Sequence, residues 1–395
     1  MACVGCWIAG KSRYPWRVGA TPFSFYEFFA GGGMARLGLG ERWACAFAND
    51  FDPVKAATYR INFPDAGAHF REGDVWSLRP VDLPTVPGGV DLAWASSPCQ
   101  DFSLAGTRAG LEGGRSSAFF GFWELMRSLG AEGRSPRLIV IENVVGLLTS
   151  RGGADFAALG RALAAEGYVF GALQIDAAHL LPQSRPRVFV VASRIGPPSA
   201  LVGESPFHTR AVRQAQAGLP GDLQSAWVWW RLATPPPRNT DLAALLEPDE
   251  AVAWRSEADT QRLLSLMAPH HRARLSGHRG RAVGAVFRRT RLEAGRRVQR
   301  AEVRFDGLAG CLRTPRGGSS RQTVVVVDDG RVRSRLLSPR EAARLMGLPD
   351  SYRLPHPTTA ALHVAGDGVA VPVVRWLAQG LLEPLLEPAE VLAAE

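Results

Sequence analysis

The chain has 395 residues, 46% of them hydrophobic and 21% charged, a balance that supports a real core and excludes a chain without one. Its length suits two domains, or one large domain carrying an insertion. A formal net charge of +9 suits a polyanionic partner such as nucleic acid, and suits equally an arginine-rich composition set by a GC-rich genome.

Residues 1–22 show no periodicity and read as a loose N-terminal extension. It holds a lone Cys-x-x-Cys, Cys3 and Cys6, with no second pair or His cluster to complete a zinc site, so no metal is expected. With Cys45, Cys99 and Cys311 these make an odd, scattered set, which argues against a disulfide framework and for a reducing cytoplasm. No long apolar run opens the chain, so neither a signal peptide nor a membrane anchor is expected.

From Phe23 onward short apolar runs alternate with helical stretches. Strands are expected at Phe23–Phe29, Ala44–Ala48, Asp91–Ser96, Leu138–Ile141 and Val188–Ala192, and helices at Val54–Ile61, Phe119–Leu129 and Ala154–Glu166. This alternation predicts an α/β domain, a doubly wound and mostly parallel sheet with helices on both faces, over residues 23–195. Near Ile195 the alternation stops. Prolines punctuate the next stretch, and arginine then thickens from Arg272 to Arg300. Residues 196–302 are expected to form a smaller module, and 303–395 a segment that regains order, with a strand at Gln322–Val327. A helix begins near Ser338, where Ser338-Pro339-Arg340-Glu341 supplies an N-cap, a proline in the first turn and a Glu at N3.

The first strand runs into Phe28-Phe29-Ala30-Gly31-Gly32-Gly33-Met34. Glycines at a strand-to-helix turn permit a tight bend and let a ligand reach backbone N–H groups. Asp50 follows about 20 residues later at the end of the second strand, where an adenosine ribose is held by its hydroxyls. Gly73-Asp74-Val75 offers a second carboxylate, suited to an adenine amino group. The spacing favours an adenosine-containing cofactor without naming it.

Ser96-Ser97-Pro98-Cys99-Gln100 comes directly after the strand residues Asp91–Ala95, and the C-terminal ends of strands in such a sheet line the ligand crevice. A thiol there meets substrate, although Pro98-Cys99 alone also suits a small buried side chain. Unperturbed, it titrates near pH 8.5 and needs local help to act as a thiolate. Glu142, in Glu142-Asn143-Val144, is expected at the tip of the next strand. An Arg pair, Arg185 and Arg187, stands in Gln183-Ser184-Arg185-Pro186-Arg187. Cytosine accepts a thiolate at C6 only when its N3 is protonated or strongly hydrogen-bonded, so one Cys and one Glu beside the same ring meet that requirement. An Arg pair could hold the base or a phosphate and favour the thiolate.

Those motifs occur in the order used by the C5-cytosine DNA methyltransferase family, which the chain resembles. Ser338–Gly347 and Gly366-Asp367-Gly368-Val369-Ala370-Val371-Pro372 extend the resemblance over all but the extension and the arginine-rich insert. The resemblance implies the S-adenosylmethionine-dependent methyltransferase fold and S-adenosyl-L-methionine as methyl donor. Phe29 and Phe51 would lie against the adenine, Asp50 would take the ribose hydroxyls and Asp74 the amino group, with Gly31, Gly33, Val75, Pro98 and Asp367 completing the cofactor site. Cys99 would be the nucleophile, Glu142 would contact N3 and the exocyclic amine, and Arg185 would brace the flipped base, with Arg187 beside it. The insert would be a target-recognition domain, and 303–395 would return to the catalytic domain.

Double-stranded DNA is the implied partner, and extruding the base from it costs a few kcal/mol. The loop Asp101–Arg115 is expected to close over that base. Gln100, Ser103 and Arg115 there, with Arg288, Arg289 and Arg291 of the insert, are the expected DNA contacts. A monomer is expected, with room for a restriction endonuclease encoded as a separate protein. Three positions depart from the family pattern: Glu27 where Asp is common, Met34 where another Gly is usual, and Gly366-Asp367-Gly368 where Gly-Asn-Ala or Gly-Asn-Ser is usual. Two other readings compete. One is a tRNA enzyme of the same family, for which the basic insert is bulkier than needed. The other is a regulator that keeps the fold without catalysis, against which the intact Pro98-Cys99-Gln100 and Glu142-Asn143-Val144 argue.

Overall fold

Runs such as Phe23–Phe28 and Leu138–Val144 are apolar at nearly every position, the pattern of strands covered on both faces. The computed structural model describes residues 22–97, 118–278, 280–293, 295–313 and 321–387. Pro98, Cys99, Gln100, Ser103, Arg115 and the loop Asp101–Arg115 lie outside the described residues, as do Cys3, Cys6 and nearly all of the N-terminal extension.

Seven strands form one sheet: β1 (Phe23–Phe28), β2 (Trp43–Asp50), β3 (Phe70–Glu72), β4 (Leu92–Ala95), β5 (Leu138–Val144), β6 (Val169–Asp176) and β7 (Pro186–Ser193). Their order is β3-β2-β1-β4-β5-β7-β6. The neighbours from β3 to β5 are parallel, whereas β7 runs antiparallel to β5. The doubly wound, mostly parallel sheet expected from the alternation is present. Two strands go beyond those expected. β3 is three residues long, and Val169–Asp176 follows the turn at Gly167. Two boundaries also move. β1 stops at Phe28 because Phe29 takes φ 57°, and β5 runs through Val144 because β7 pairs with it to the end.

The chain divides into two compact units. The larger comprises residues 1–175, 186–235 and 368–395, and the smaller 176–185 and 236–367. The expected 196–302 module is therefore shared: 196–235 falls in the larger unit, and the smaller continues to Asp367. In the larger unit Trp230 is fully buried and donates to Val191 O at 3.0 Å, which fastens that segment to β7. The C-terminal helix Val371–Leu377 packs on helix Met34–Leu39, with Arg375 Nε donating to Gly38 O at 2.6 Å. Glu383 accepts from Trp43 Nε1 at 3.1 Å and from Arg42 at 3.0 Å, so the C-terminal segment returns to β2. One helical run, Thr358–Leu386, is long and apolar enough to cross a membrane, yet most of that stretch is buried inside the protein.

The smaller unit is built on a sheet of order β11-β10-β8-β9, from β8 (Arg281–Glu293), β9 (Arg296–Arg304), β10 (Thr323–Asp328) and β11 (Arg331–Leu336). The arginine-rich stretch read as lacking alternation is the β8–β9 hairpin, and β8 also pairs with β10, which explains why this unit extends past 302. Helices Glu257–Ser265 and Pro269–Ser276 cover one face through Leu263, Leu264 and Leu275 against Val286, Ala301 and Val303. The helix Pro339–Leu345 has the expected capping box: Ser338 Oγ accepts from Glu341 N at 3.1 Å, and Glu341 Oε2 accepts from Ser338 N at 2.9 Å. Glu341 also receives both guanidinium nitrogens of Arg335 at 2.6 and 2.7 Å, in a pair with each side chain 1% exposed.

Candidate active site

In the larger unit the turn after β1 is shaped by three left-handed residues, Phe29 at φ 57°, Gly31 at φ 56° and Gly33 at φ 79°. The two glycines serve different ends. A Cβ on Gly33 would lie 2.2 Å from the Phe63 ring, so its absence permits packing. A Cβ on Gly31 would meet nothing within 4 Å, so that backbone faces open space.

Asp50 ends β2 beneath this turn. Its Oδ2 accepts from Gly31 N at 2.7 Å and its Oδ1 from Asp52 N at 2.9 Å. Burial nonetheless dominates and pushes its carboxyl above the usual range. A carboxylate has about four acceptor positions, so two remain after these contacts. Phe51, next in the chain, is 69% exposed, an unusual place for a large ring. Asp74 is exposed and accepts from Trp76 N at 3.0 Å. Val75, expected at the cofactor, is buried in the core, close to Gly121. Asp367, the last residue of helix Thr358–Asp367, is exposed in the smaller unit.

The tips of β4 and β5 are joined. Asn143 Nδ2 donates to Ser97 O at 3.1 Å and to Ser97 Oγ at 3.3 Å, two residues before Cys99 in the chain. Glu142 lies within β5, opposite Phe189 of β7, and Val144 is opposite Arg187. Alternate residues share a face, so Glu142 and Arg187 project from the same side and meet, Arg187 Nε to Glu142 Oε1, at 3.1 Å. Both are largely sheltered, at 15% side-chain exposure for Arg187 and 8% for Glu142, which strengthens the pair relative to one in water.

The Arg pair of the sequence motif is divided at Pro186. Arg187 joins Glu142, whereas Arg185 is buried in the smaller unit. There it donates to Leu312 O at 2.9 Å and Gly366 O at 2.8 Å, with Gln183 nearby donating to Leu345 O at 2.7 Å. Two of its guanidinium nitrogens are thus held by carbonyls within that unit. In the insert, Arg288 lies on one face of the β8–β9 hairpin and Arg289 and Arg291 on the other. An open hollow of about 410 Å³ in the smaller unit, lined by Arg274, Gly277, His278, Phe305 and Asp306, includes none of the expected site residues. Among the described residues no group of three His, Cys, Asp or Glu side chains could hold a metal ion.

The departures at Met34 and Gly368 are connected in the larger unit. A Cβ on Gly368 would lie 2.2 Å from Met34 Sδ and 2.8 Å from its Cε. Met34 itself is 2% exposed, so it fills that space.

A family model described as C-5 cytosine-specific DNA methylase matches residues 23–383. The chain is 26% identical over 363 residues to the type II methyltransferase M.HhaI of Haemophilus parahaemolyticus, covering 91% of this chain and 94% of that one. It is 25% identical over 382 residues to the type II methyltransferase M.HpaII of Haemophilus parainfluenzae, covering 92% and 90%. A solved structure of the S. pombe Dnmt2 methyltransferase shares the fold with a TM-score of 0.58 at 17% identity, covering 92% of this chain and 99% of that one.

Proposed function

The chain belongs to the C-5 cytosine-specific DNA methylase family and is a DNA cytosine methyltransferase; on that premise we propose that Cys99 attacks a cytosine turned out of duplex DNA and that S-adenosylmethionine is the methyl donor. The observation that carries this reading is the joined tip of β4 and β5. Asn143 ties β5 to Ser97, two residues from Cys99 in the chain, and the same strand carries Glu142, which Arg187 of β7 meets.

The residues present suit the donor. Asp50 keeps acceptor positions for ribose hydroxyls, Gly31 faces open space, and exposed Phe51 offers a ring to an adenine. We assign Phe29, Gly31, Gly33, Asp50, Phe51, Asp74, Val75 and Pro98 to holding it. When bound there it supplies an electrophilic methyl group.

Cys99 sulfur forms a bond to C6 of the base while Glu142 supplies a hydrogen bond or proton at N3, where negative charge would otherwise build. Arg187 holds the Glu142 carboxyl in place. Electron density gathers at C5, which takes the methyl group. Loss of the C5 proton and breaking of the sulfur–C6 bond restore the aromatic ring and free the thiolate. Removing the base from the stack costs a few kcal/mol, which Gln100, Ser103, Arg115 and the insert would offset by contacts with DNA. We place the enzyme in the cytoplasm as a monomer acting on duplex DNA, with a separately encoded restriction endonuclease as its counterpart.

Labelled S-adenosylmethionine with mixed-sequence duplex DNA should yield 5-methylcytosine. Duplexes containing 5-fluorocytosine should trap a covalent complex, since fluorine at C5 cannot leave as a proton does. Retained turnover in Cys99→Ser would sink the nucleophile assignment.

A further inference from the structure

β8 pairs with β10 only from Arg281 to Val286, but with β9 as far as Glu293. From Phe287 outward the hairpin is therefore a two-stranded ribbon, on the order of 20 Å long at about 3.4 Å per residue. Its two faces differ. Opposite residues of an antiparallel pair share a face, so Val286, Ala301 and Val303, buried under the helices, continue outward as Arg288, Thr290, Leu292, Arg297 and Gln299. The other face carries Arg289, Arg291, Arg296 and Arg300 with Glu293 and Glu302.

Net charge does not separate the faces, since each sums to the same excess of cations. Engagement does. Arg289 pairs with Glu302 at 3.2 Å and lies over the Phe287 ring at 5.9 Å. Arg291 Nε donates to Glu302 at 2.7 Å, and Arg300 Nε to Glu293 at 2.7 Å. Arg288 and Arg297 have no such carboxylate among the described residues, and Leu292 is 74% exposed between strands of polar neighbours. At the root of the same face Arg255 reaches Thr323 Oγ1 at 3.4 Å, while its Nη1 is buried without a hydrogen-bond partner among the described residues. Burial first, and then the Arg288 cation, disfavour its charge. Asp259 offsets this only in part, and from Arg288 outward this face carries no Asp or Glu among the described residues. Protection of bare strand edges would place charge on both faces without leaving one of them unpaired.

We propose that this face of the ribbon lies in the major groove of duplex DNA, with Arg288 and Arg297 on phosphates at its two walls and Thr290, Leu292 and Gln299 on base edges between them. The proposal rests on the reading of the chain as a DNA cytosine methyltransferase. Arg297 is opposite Leu292, four residues beyond Arg288, so the two cations stand about 13 Å apart along the strand. The major groove is about 12 Å wide and admits a two-stranded ribbon. Gln can bond adenine through two atoms, and an exposed aliphatic chain suits the thymine methyl group. The arginines then set register and the three residues between them select sequence.

The test uses the full chain and a mixed-sequence duplex of about 30 base pairs, with binding read by anisotropy from about 50 to 200 mM salt. Each lost phosphate contact flattens the log–log salt slope by about 0.9, so Arg288→Ala with Arg297→Ala should flatten it by about 1.8. Arg289→Ala with Arg291→Ala should flatten it by less than about half of that. Leu292→Ala and Gln299→Ala should broaden the set of cytosines methylated in a mixed-sequence pool, read by bisulfite sequencing. Unfolding midpoints should match wild type, because the altered side chains are exposed. Equal slopes for the two arginine pairs, or tighter binding to an RNA duplex than to DNA, overturn the ribbon assignment, as does an unchanged methylation pattern with an unchanged slope. If wild type binds duplex but makes no 5-methylcytosine, the enzymatic reading fails, and the salt slopes still decide the ribbon.

Discussion

Met34 occupies the volume that any side chain at residue 368 would need, so two positions 334 residues apart are one packing decision. The Met in the glycine turn and the Gly after Asp367 are each unusual for the family, and together they make one filled space. Gly368→Ala should destabilise by about 1–3 kcal/mol, because a buried Met must move. Met34→Ala alone should cost roughly 2–5 kcal/mol by leaving a cavity. Chemical denaturation of both variants and of the double variant should give a coupling above about 0.5 kcal/mol. Strict additivity would refute the shared space.

The Glu142–Arg187 pair predicts non-additive kinetics. Glu142→Gln should lower the rate of methyl transfer by about 10²–10⁴-fold, the usual reach of a positioned acid or base. Arg187→Ala should fall in the same range, since it frees the carboxyl that it holds. The double variant should be no slower than about tenfold below the worse single one. Single-turnover rates with labelled donor provide the measurement, and multiplied losses would show that the two act independently.

Glu27, 1% exposed on β1, is pushed up to about 8 by burial, against which its contact with Arg36 N at 3.3 Å is a weak counterweight. Its folded value lies above the ordinary carboxylate value of 4.5, so the folded chain holds this proton more tightly than the unfolded one. The associated stability is complete below pH 4.5 and is lost as pH rises to about 8. Glu27→Gln should remove that loss, unfolding like wild type near pH 5 and at higher denaturant near pH 8. Identical slopes of stability against pH in the two proteins would rule Glu27 out as the source.

Arg335 and Glu341 predict a large loss from a small change. Glu341→Ala strands a guanidinium that is 1% exposed and deprives Ser338 N and Glu247 N of their acceptor. Removing one partner of a buried ion pair costs about 3–5 kcal/mol. Replacing both by apolar residues of similar volume should cost less than either single removal, measured by thermal or denaturant unfolding. A double variant weaker than both singles would contradict the account.

The parallel half of the sheet and the cofactor turn are legible in the sequence because apolar runs, glycines and strand-end acids are local signals. Local signals put Glu142 at a strand tip, yet it is inside β5, since the length of a strand depends on its partner and β7 is about 40 residues away. The two arginines of the motif look alike in sequence. Pro186 and the alternation of β7 give Arg187 to Glu142 and leave Arg185 to carbonyls of the smaller unit. Register makes the same division in the hairpin, where neighbours Arg288 and Arg289 have opposite faces and different company.

The return of the C-terminal segment to the first helix has a consequence for synthesis. Helix Met34–Leu39 is covered by Val371–Leu377, and Trp43 is hydrogen-bonded to Glu383, so the glycine turn after β1 has its supports only once residues 371–383 have emerged from the ribosome. Between Pro235 and Gly368 the ribosome makes the smaller unit first, a delay on the order of ten seconds at bacterial rates. A nascent chain stalled before Gly368 should leave residues 34–50 open to protease, and release should close them. The glycine turn would then take its final shape late, after the smaller unit has been made.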